Sequence, residues 1–245
     1  MNPVIDLLTS HRSIRKFTDQ PLPEGLLETL IIAGQGASTS NHVQACSVIR
    51  VTNAANRSTL AELAGGQAYI EQAAEFLVFC ADMKRNTEAA ERTGIEPIRG
   101  MTEQLLVATI DVALLAQNVA VAAESEGLGL CYIGGIRNNP EQISELLKLP
   151  KHVYPVFGMC IGYPQQNPEV KPRLPVNTIL KQDFYDDSDD VAQIEQYDQL
   201  MSDYYQQRSG GTKDSNWSKG MAPMFSGKLR PHMREFLLKQ GFELK

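Results

Sequence analysis

The run TEQLLVATIDVALLAQNVAVAAESEG at residues 102–127 leaves few architectures open. Thr102 is a candidate cap, Gly127 or Gly129 a candidate stop, and apolar residues cover most of the circumference of the helix between them. A helix apolar nearly all round is buried in a protein core or lies in a membrane. The stretch approaches the ~20 residues that a span requires. Asp111, however, stands at its centre with Gln117 and Asn118 beyond it, and a central Asp costs about 3 kcal/mol on insertion. The run is therefore expected as a core or subunit-interface helix, buried nearly all round. A monomer of 245 residues has difficulty enclosing such a helix, so a homodimer is expected.

Around it the first two thirds of the chain read as mixed helix and strand. Pro21 and Pro23 open a helix, EGLLETLIIAGQGA, whose Leu26, Leu27, Leu30 and Ile31 share one face. ACSVIRVT (45–52) is strand-like, and NAANRSTLAELAG reads as a helix closed by Gly65 and Gly66. EFLVFCAD (75–82) is wholly apolar at its centre, as a strand covered on both faces requires. GLCYIGGIRNNPEQISELLKL reads as strand, double glycine and helix, and VYPVFGMCIGYP (153–164) as another buried strand. After Pro164 the chain turns rich in proline and polar residues, as suits an arm on a surface. Helices are expected near 190–207 and 228–240, with the loop RSGGTKDSN between them.

A net charge of −6 argues against nucleic-acid or anionic-membrane binding, since both want a broad positive field. The N-terminus carries no basic region followed by an apolar run and a small-residue cleavage site, so no signal peptide is expected. Cys46, Cys80, Cys131 and Cys160 stand far apart without a CxxC pair, as reduced core thiols of a cytoplasmic protein do. His11, His42, His152 and His232 are scattered, and no metal is expected.

Against this acidic background two local cationic clusters stand out. SHRSIRKFT (10–18) packs His11, Arg12, Arg15 and Lys16 within six positions. VKPRLP (170–175) holds Lys171 and Arg173 between prolines, which stiffen the segment and send both side chains the same way. Like charges so crowded call for an anion, and arginine forks with the Ser13 hydroxyl suit phosphate oxygens. Gly134-Gly135 follows a strand and precedes a helix without the third glycine of a dinucleotide fingerprint. Lacking Cβ atoms, the pair lets a flat ligand lie against its amides, with Tyr132 and Ile133 as apolar wall.

Five blocks in order, HRSIRKFT, ASTSNHVQ, AGGQAYIEQAAEFLVFCAD, AAESEGLGLCYIGGIRNN and NPEVKPRLP, resemble the FMN-dependent, oxygen-insensitive nitroreductase family in its NADPH-preferring, flavin reductase P-like branch. The likeness runs on through YDQLMSDYYQQR and NWS. It implies an α+β fold with a mainly antiparallel central sheet flanked by helices, in an intertwined homodimer. Residues 1–165 would form the FMN-binding core, and 166–245 an arm and helices packing on the core and the partner subunit. His11, Arg12, Ser13, Lys171 and Arg173 match residues around the FMN phosphate, and Arg15 the basic residue at the pyrimidine side. Ser38, Thr39 and Ser40 match a polar run at the ribityl chain and ring edge, and Gln67 a side chain bonding the ring. Tyr132, Ile133, Gly134 and Gly135 match the segment facing the isoalloxazine. Arg208, with Lys213 in the same loop, matches the contact to the NADPH 2′-phosphate. Arg230 matches a position near the substrate opening, and Asn41-His42, which departs from the relatives' pattern, borders the substrate space. The implied activity is ping-pong, two-electron reduction of nitroaromatics, quinones or free flavin by NADPH, with NADH as the second reductant. The chemistry resides on FMN, with no catalytic side chain beyond the electrostatic role of Arg15. The alternatives are a dedicated reductase supplying reduced FMN and a non-catalytic flavin-binding sensor.

Overall fold

The computed structural model describes residues 2–227 and 229–245, the side chain of Ser209 excepted. Along the chain run α1 (Pro3–Thr9), α2 (Leu26–Gln35), β1 (Cys46–Arg50), α3 (Ala54–Leu63), α4 (Tyr69–Gln72), β2 (Glu75–Asp82), α5 (Lys84–Glu91) and α6 (Thr102–Ser125). Then follow β3 (Gly129–Ile133), α7 (Pro140–Leu146), β4 (Val153–Gly162), α8 (Val176–Ile179), α9 (Asp190–Ser209), α10 (Trp217–Ser226) and α11 (Met233–Lys239). Contacts divide the chain into two compact units, Met1–Pro168 with His232–Lys245, and Glu169–Pro231.

The first unit is built on a sheet of order β1-β2-β4-β3, antiparallel at every pairing. Alternation along β2 divides the core in two. Leu77, Phe79 and Ala81 face one cluster, with Leu27, Leu30, Ala116 and Val119 of α2 and α6. Phe76, Val78 and Cys80 face the other, with Leu60 and Ile143 of α3 and α7. Pro155 lies inside a central strand, where its missing N–H would break the ladder. The β2–β4 register slips between Phe79 and Cys80, which oppose Phe157 and Pro155, and this bulge accommodates the proline.

Helix α6 departs from expectation in two ways. Met101, not Thr102, holds the cap position, and its N–H donates to Gln104 Oε1 at 3.2 Å. Nor is the helix buried all round in this chain. Its buried face is Ala108, Asp111, Val112, Leu115, Ala116, Val119, Ala120 and Ala123, while Leu106, Ile110 and Leu114 form an exposed stripe one turn apart.

The helix expected near 228–240 is shorter, α11 over Met233–Lys239, and α10 over Trp217–Ser226 is a further helix that the sequence reading did not expect. Asn216 starts α10 by accepting the Lys219 N–H at 2.8 Å. Lys228, where the expected helix would begin, lies outside the described residues. Within the first unit the C-terminal segment is held through Gln240, whose O accepts from His152 N at 2.7 Å and whose Nε2 donates to Val153 O at 2.7 Å.

His152 faces this seam, its ring edge-on to Phe242 and near Arg99, Lys151 and Glu243. Burial, then the Arg99 charge, pushes its pKa below the ordinary 6.5. The unfolded chain therefore binds a proton that the native chain refuses, so stability falls as pH drops below 6.5. His152→Asn removes this titration and suits the left-handed backbone, φ 62°. Melting temperatures from neutral pH into mild acid should fall more steeply for the wild type than for the variant. Parallel profiles would remove His152 from the account.

Candidate functional site

The N-terminal cationic segment is held by its apolar residues. Asn2 caps α1, accepting from Val4 N at 2.9 Å, and the helix ends before Ser10. From there the chain lies along the β3 edge: Ile14 N donates to Leu130 O at 2.8 Å, and Thr18 N to Tyr163 O at 2.9 Å. Ile14 and Phe17 are buried, and a Cβ on Gly129 would meet Ile14 Cγ1 at 2.5 Å, so only glycine lets the segment seat this closely. His11, Arg12 and Ser13 are left half-buried and Arg15 and Lys16 exposed. Arg12 lines a cavity of about 480 Å³ with Ser10, Glu124, Gly127, Gly129 and Asn167.

One anion for this cluster belongs to the chain itself. His11 Nδ1 lies 2.6 Å from Glu124 Oε1, in the last turn of α6. Sequence reading passed over Glu124 as one of the acidic residues ending a long helix, because 113 positions separate the partners.

Arg15 reaches a second group. Burial raises the pKa of the Cys131 thiol, and Arg15 and Ser13 beside it pull the other way. Burial likewise raises Tyr69, again opposed by Arg15. The Tyr69 hydroxyl donates to Gln67 Oε1 at 2.6 Å, and Gln67 Nε2 donates to Ala64 O at 2.7 Å. Gly135 presses on this turn: a Cβ there would sit 2.2 Å from Ala64 O and 2.5 Å from Gln67 Nε2. At Gly134 a Cβ would meet only Arg137 Nη2, at 3.8 Å. Ile133 is fully buried; Tyr132 is half-buried, edge-on to Phe157, with its hydroxyl 3.3 Å from Gln117 Oε1. Ser13, Arg15, Gln67 and the 132–135 segment thus come together at the β3 side of the sheet, and Tyr69, which the sequence reading missed, ties them.

The Ser38–His42 residues lie elsewhere. They belong to the loop between α2 and β1, and β1 is the opposite edge of the sheet from β3. Three strand spacings put the two edges about 14 Å apart. Thr39 is half-buried, while Ser38, Ser40, Asn41 and His42 are exposed. Ser38 and Thr39 line a cavity of about 400 Å³ with Ile31, Val48, Arg85, Asp111 and Leu115.

In the second unit, Tyr197, Met201 and Tyr204 of α9 form a small core with Leu174 and Trp217. The Tyr197 hydroxyl donates to Pro172 O at 2.9 Å and so pins the segment that carries Lys171 and Arg173, both exposed. Lys171 Nζ lies 5.3 Å and Lys213 Nζ 4.2 Å from the Tyr205 ring centre. Arg208, in the last turn of α9, bonds the Tyr204 hydroxyl at 3.1 Å and lies over its ring. Arg230 stands between α10 and α11 with a left-handed backbone, φ 47°.

Residues 8–163 match the nitroreductase family, and residues 171–245 match that family's C-terminal domain. The chain belongs to the nitroreductase family. Among its nitroreductase relatives, the oxygen-insensitive NADPH nitroreductase of Salmonella typhimurium is 44% identical over 242 residues, 99% of each chain. The solved structure of B. megaterium NfrA1 shares 44% identity and a TM-score of 0.94, over 98% of this chain and 99% of that one. The NADPH:FMN oxidoreductase from Vibrio harveyi, solved in complex with NAD+, shares 42% identity and a TM-score of 0.90 over 98% of both chains. The nitroreductase fold expected from the sequence is the fold observed.

Proposed function

We propose that this protein is an NAD(P)H-dependent FMN oxidoreductase, acting as a cytoplasmic homodimer in the two-electron reduction of nitroaromatics, quinones or free flavin. The observation that carries the reading is a linked set of donors beside β3: Ser13 and Arg15 at Cys131, Arg15 also at Tyr69, Tyr69 on Gln67, and Gln67 against Gly135. These residues fit FMN. The open approach at Gly134 admits a flat ring, and hydroxyl, guanidinium and amide donors suit its carbonyl oxygens and ring nitrogens.

Bound FMN supplies the hydride chemistry between NAD(P)H and the acceptor. Arg15 stabilises negative charge at the pyrimidine side. Gln67, held by Tyr69 and Ala64, keeps one orientation and has a second N–H for the ring. Arg12, Lys171 and Arg173 hold the phosphate, with Ser13 as a hydroxyl donor. The two sheet edges and the exposed Leu106/Ile110/Leu114 stripe support a site completed by a second copy. That copy covers the stripe and supplies its Ser38–Ser40 loop to the ring edge, with Asn41 and His42 beside the acceptor. Four free cysteines, three of them buried, suit a reducing compartment.

Turnover with NADPH and a nitrofuran, a quinone or free FMN at matched concentration tests the reading. Reduction of the nitrofuran and quinone at rates similar to free FMN supports a broad reductase; FMN alone as acceptor would replace it with a dedicated flavin reductase. Arg208 is assigned to the NADPH 2′-phosphate, with Lys213 beside it and Arg230 at the substrate opening. Arg208→Ala should lower kcat/KM for NADPH about tenfold, the loss of one charged hydrogen bond, and change the NADH value less than twofold. Equal losses with both reductants would cancel the assignment.

A further inference from the structure

Asp111 is 4% exposed in the middle of α6, a position where a carboxylate is costly unless it is fully hydrogen-bonded. Its bonds all go to one loop. Oδ2 accepts from the Thr39 hydroxyl at 2.6 Å and from Ala45 N at 3.0 Å, and Oδ1 accepts from Ser40 N at 3.2 Å. Thr39 Oγ1 in turn accepts from Gln44 N at 2.8 Å, so its own proton is committed to Asp111. Gln44 Nε2 reaches His42 Nε2 at 3.1 Å. A chain of contacts thus runs from the core helix through Thr39 and Gln44 to an exposed imidazole.

The loop needs such a hold. Asn41, His42 and Gln44 have φ of 46°, 58° and 52°, a left-handed conformation disfavoured for residues with a Cβ. Conformations of this kind persist where the surroundings over-determine them. Asn86 adds a second tie, donating to Val43 O at 2.6 Å.

We propose that Asp111 is a positioning residue, whose carboxylate holds the 39–45 loop in its left-handed form and so sets where Ser38, Ser40 and His42 stand against the flavin. The inference rests on the assignment of the Ser38–Ser40 run to FMN. Asparagine at 111 cannot replace the carboxylate. Its amide nitrogen faces either the Ala45 N–H or the Ser40 N–H, donor against donor, and one loop amide loses its acceptor.

The test compares wild type, Asp111→Asn, Thr39→Val and the double variant by FMN dissociation constant and by hydrogen exchange of the 38–45 amides in the holoenzyme. Each single variant should raise the FMN constant about tenfold and speed exchange in the loop. The double variant should do no worse than either single one, because both break the same contact. Additive losses would mean that Asp111 and Thr39 act through separate contacts rather than through the one they share, and would overturn the proposal. So would unchanged exchange and affinity in Asp111→Asn. Should Asp111→Asn fail to fold, Thr39→Val against Thr39→Ser carries the test, with recovery by serine expected and no recovery overturning it. A wild type that binds no FMN would instead remove the functional reading, while the exchange result would still report on the loop.

Discussion

Gly134→Ala should leave the fold intact and strip the protein of FMN, whereas Gly135→Ala should damage both. The added methyl at 134 meets only the far end of Arg137, at 3.8 Å, and so enters the open space assigned to the flavin ring. At 135 it lies 2.2 Å from the Ala64 carbonyl oxygen, a backbone atom that cannot swing aside. Overpacking of this kind costs about 1–3 kcal/mol. In a chain of this size, where each kcal/mol shifts the melting temperature by about 2–4 °C, that lowers it by about 2–12 °C. Ala64 O also receives the Gln67 amide, so the shift disorders a proposed ring contact as well. Thermal melts and bound-flavin content of the two variants check this. Normal FMN content in Gly134→Ala would move the ring away from this backbone.

The second large effect is expected from Lys171→Ala with Arg173→Ala. Each exposed cation is assigned a charge-assisted bond to the FMN phosphate, about 1.5–3 kcal/mol apiece. Their joint loss amounts to about 3 kcal/mol or more, a factor of about a hundred or more in the dissociation constant. The Tyr197 hydroxyl still holds Pro172, so the segment keeps its course and the loss reads out as affinity. The double variant should purify without flavin and regain NADPH oxidation in excess FMN. Full retention of FMN would leave these two residues as surface charge.

How far the sequence could be read depended on the range of the interactions. Strand β2 was legible to the residue, because a strand buried on both faces is apolar throughout. The Gly134-Gly135 turn showed itself by its place between strand and helix. The exposed stripe of α6 did not, since Leu106, Ile110 and Leu114 look like the leucines and valines that face the sheet. Helix α10 was hidden by Gly220 and Pro223, which break the local pattern although the chain stays helical through them. Asp111 was read as a charge too costly for a membrane; its partners lie 66 to 72 positions earlier, in a loop that no spacing rule connects to α6. Glu124 was missed for the same reason, 113 positions from its partner, and so was the approach of Tyr69 to Arg15, although the Tyr69 bond to Gln67 spans only two positions.

The visible spectrum of the freshly purified protein, before and after NADPH under argon, tests the central claim most directly. The protein is expected to be yellow, with flavin absorbance that bleaches within seconds and returns when a quinone is added. A colourless protein that takes up no FMN, or a yellow one that NADPH leaves unbleached, would contradict it.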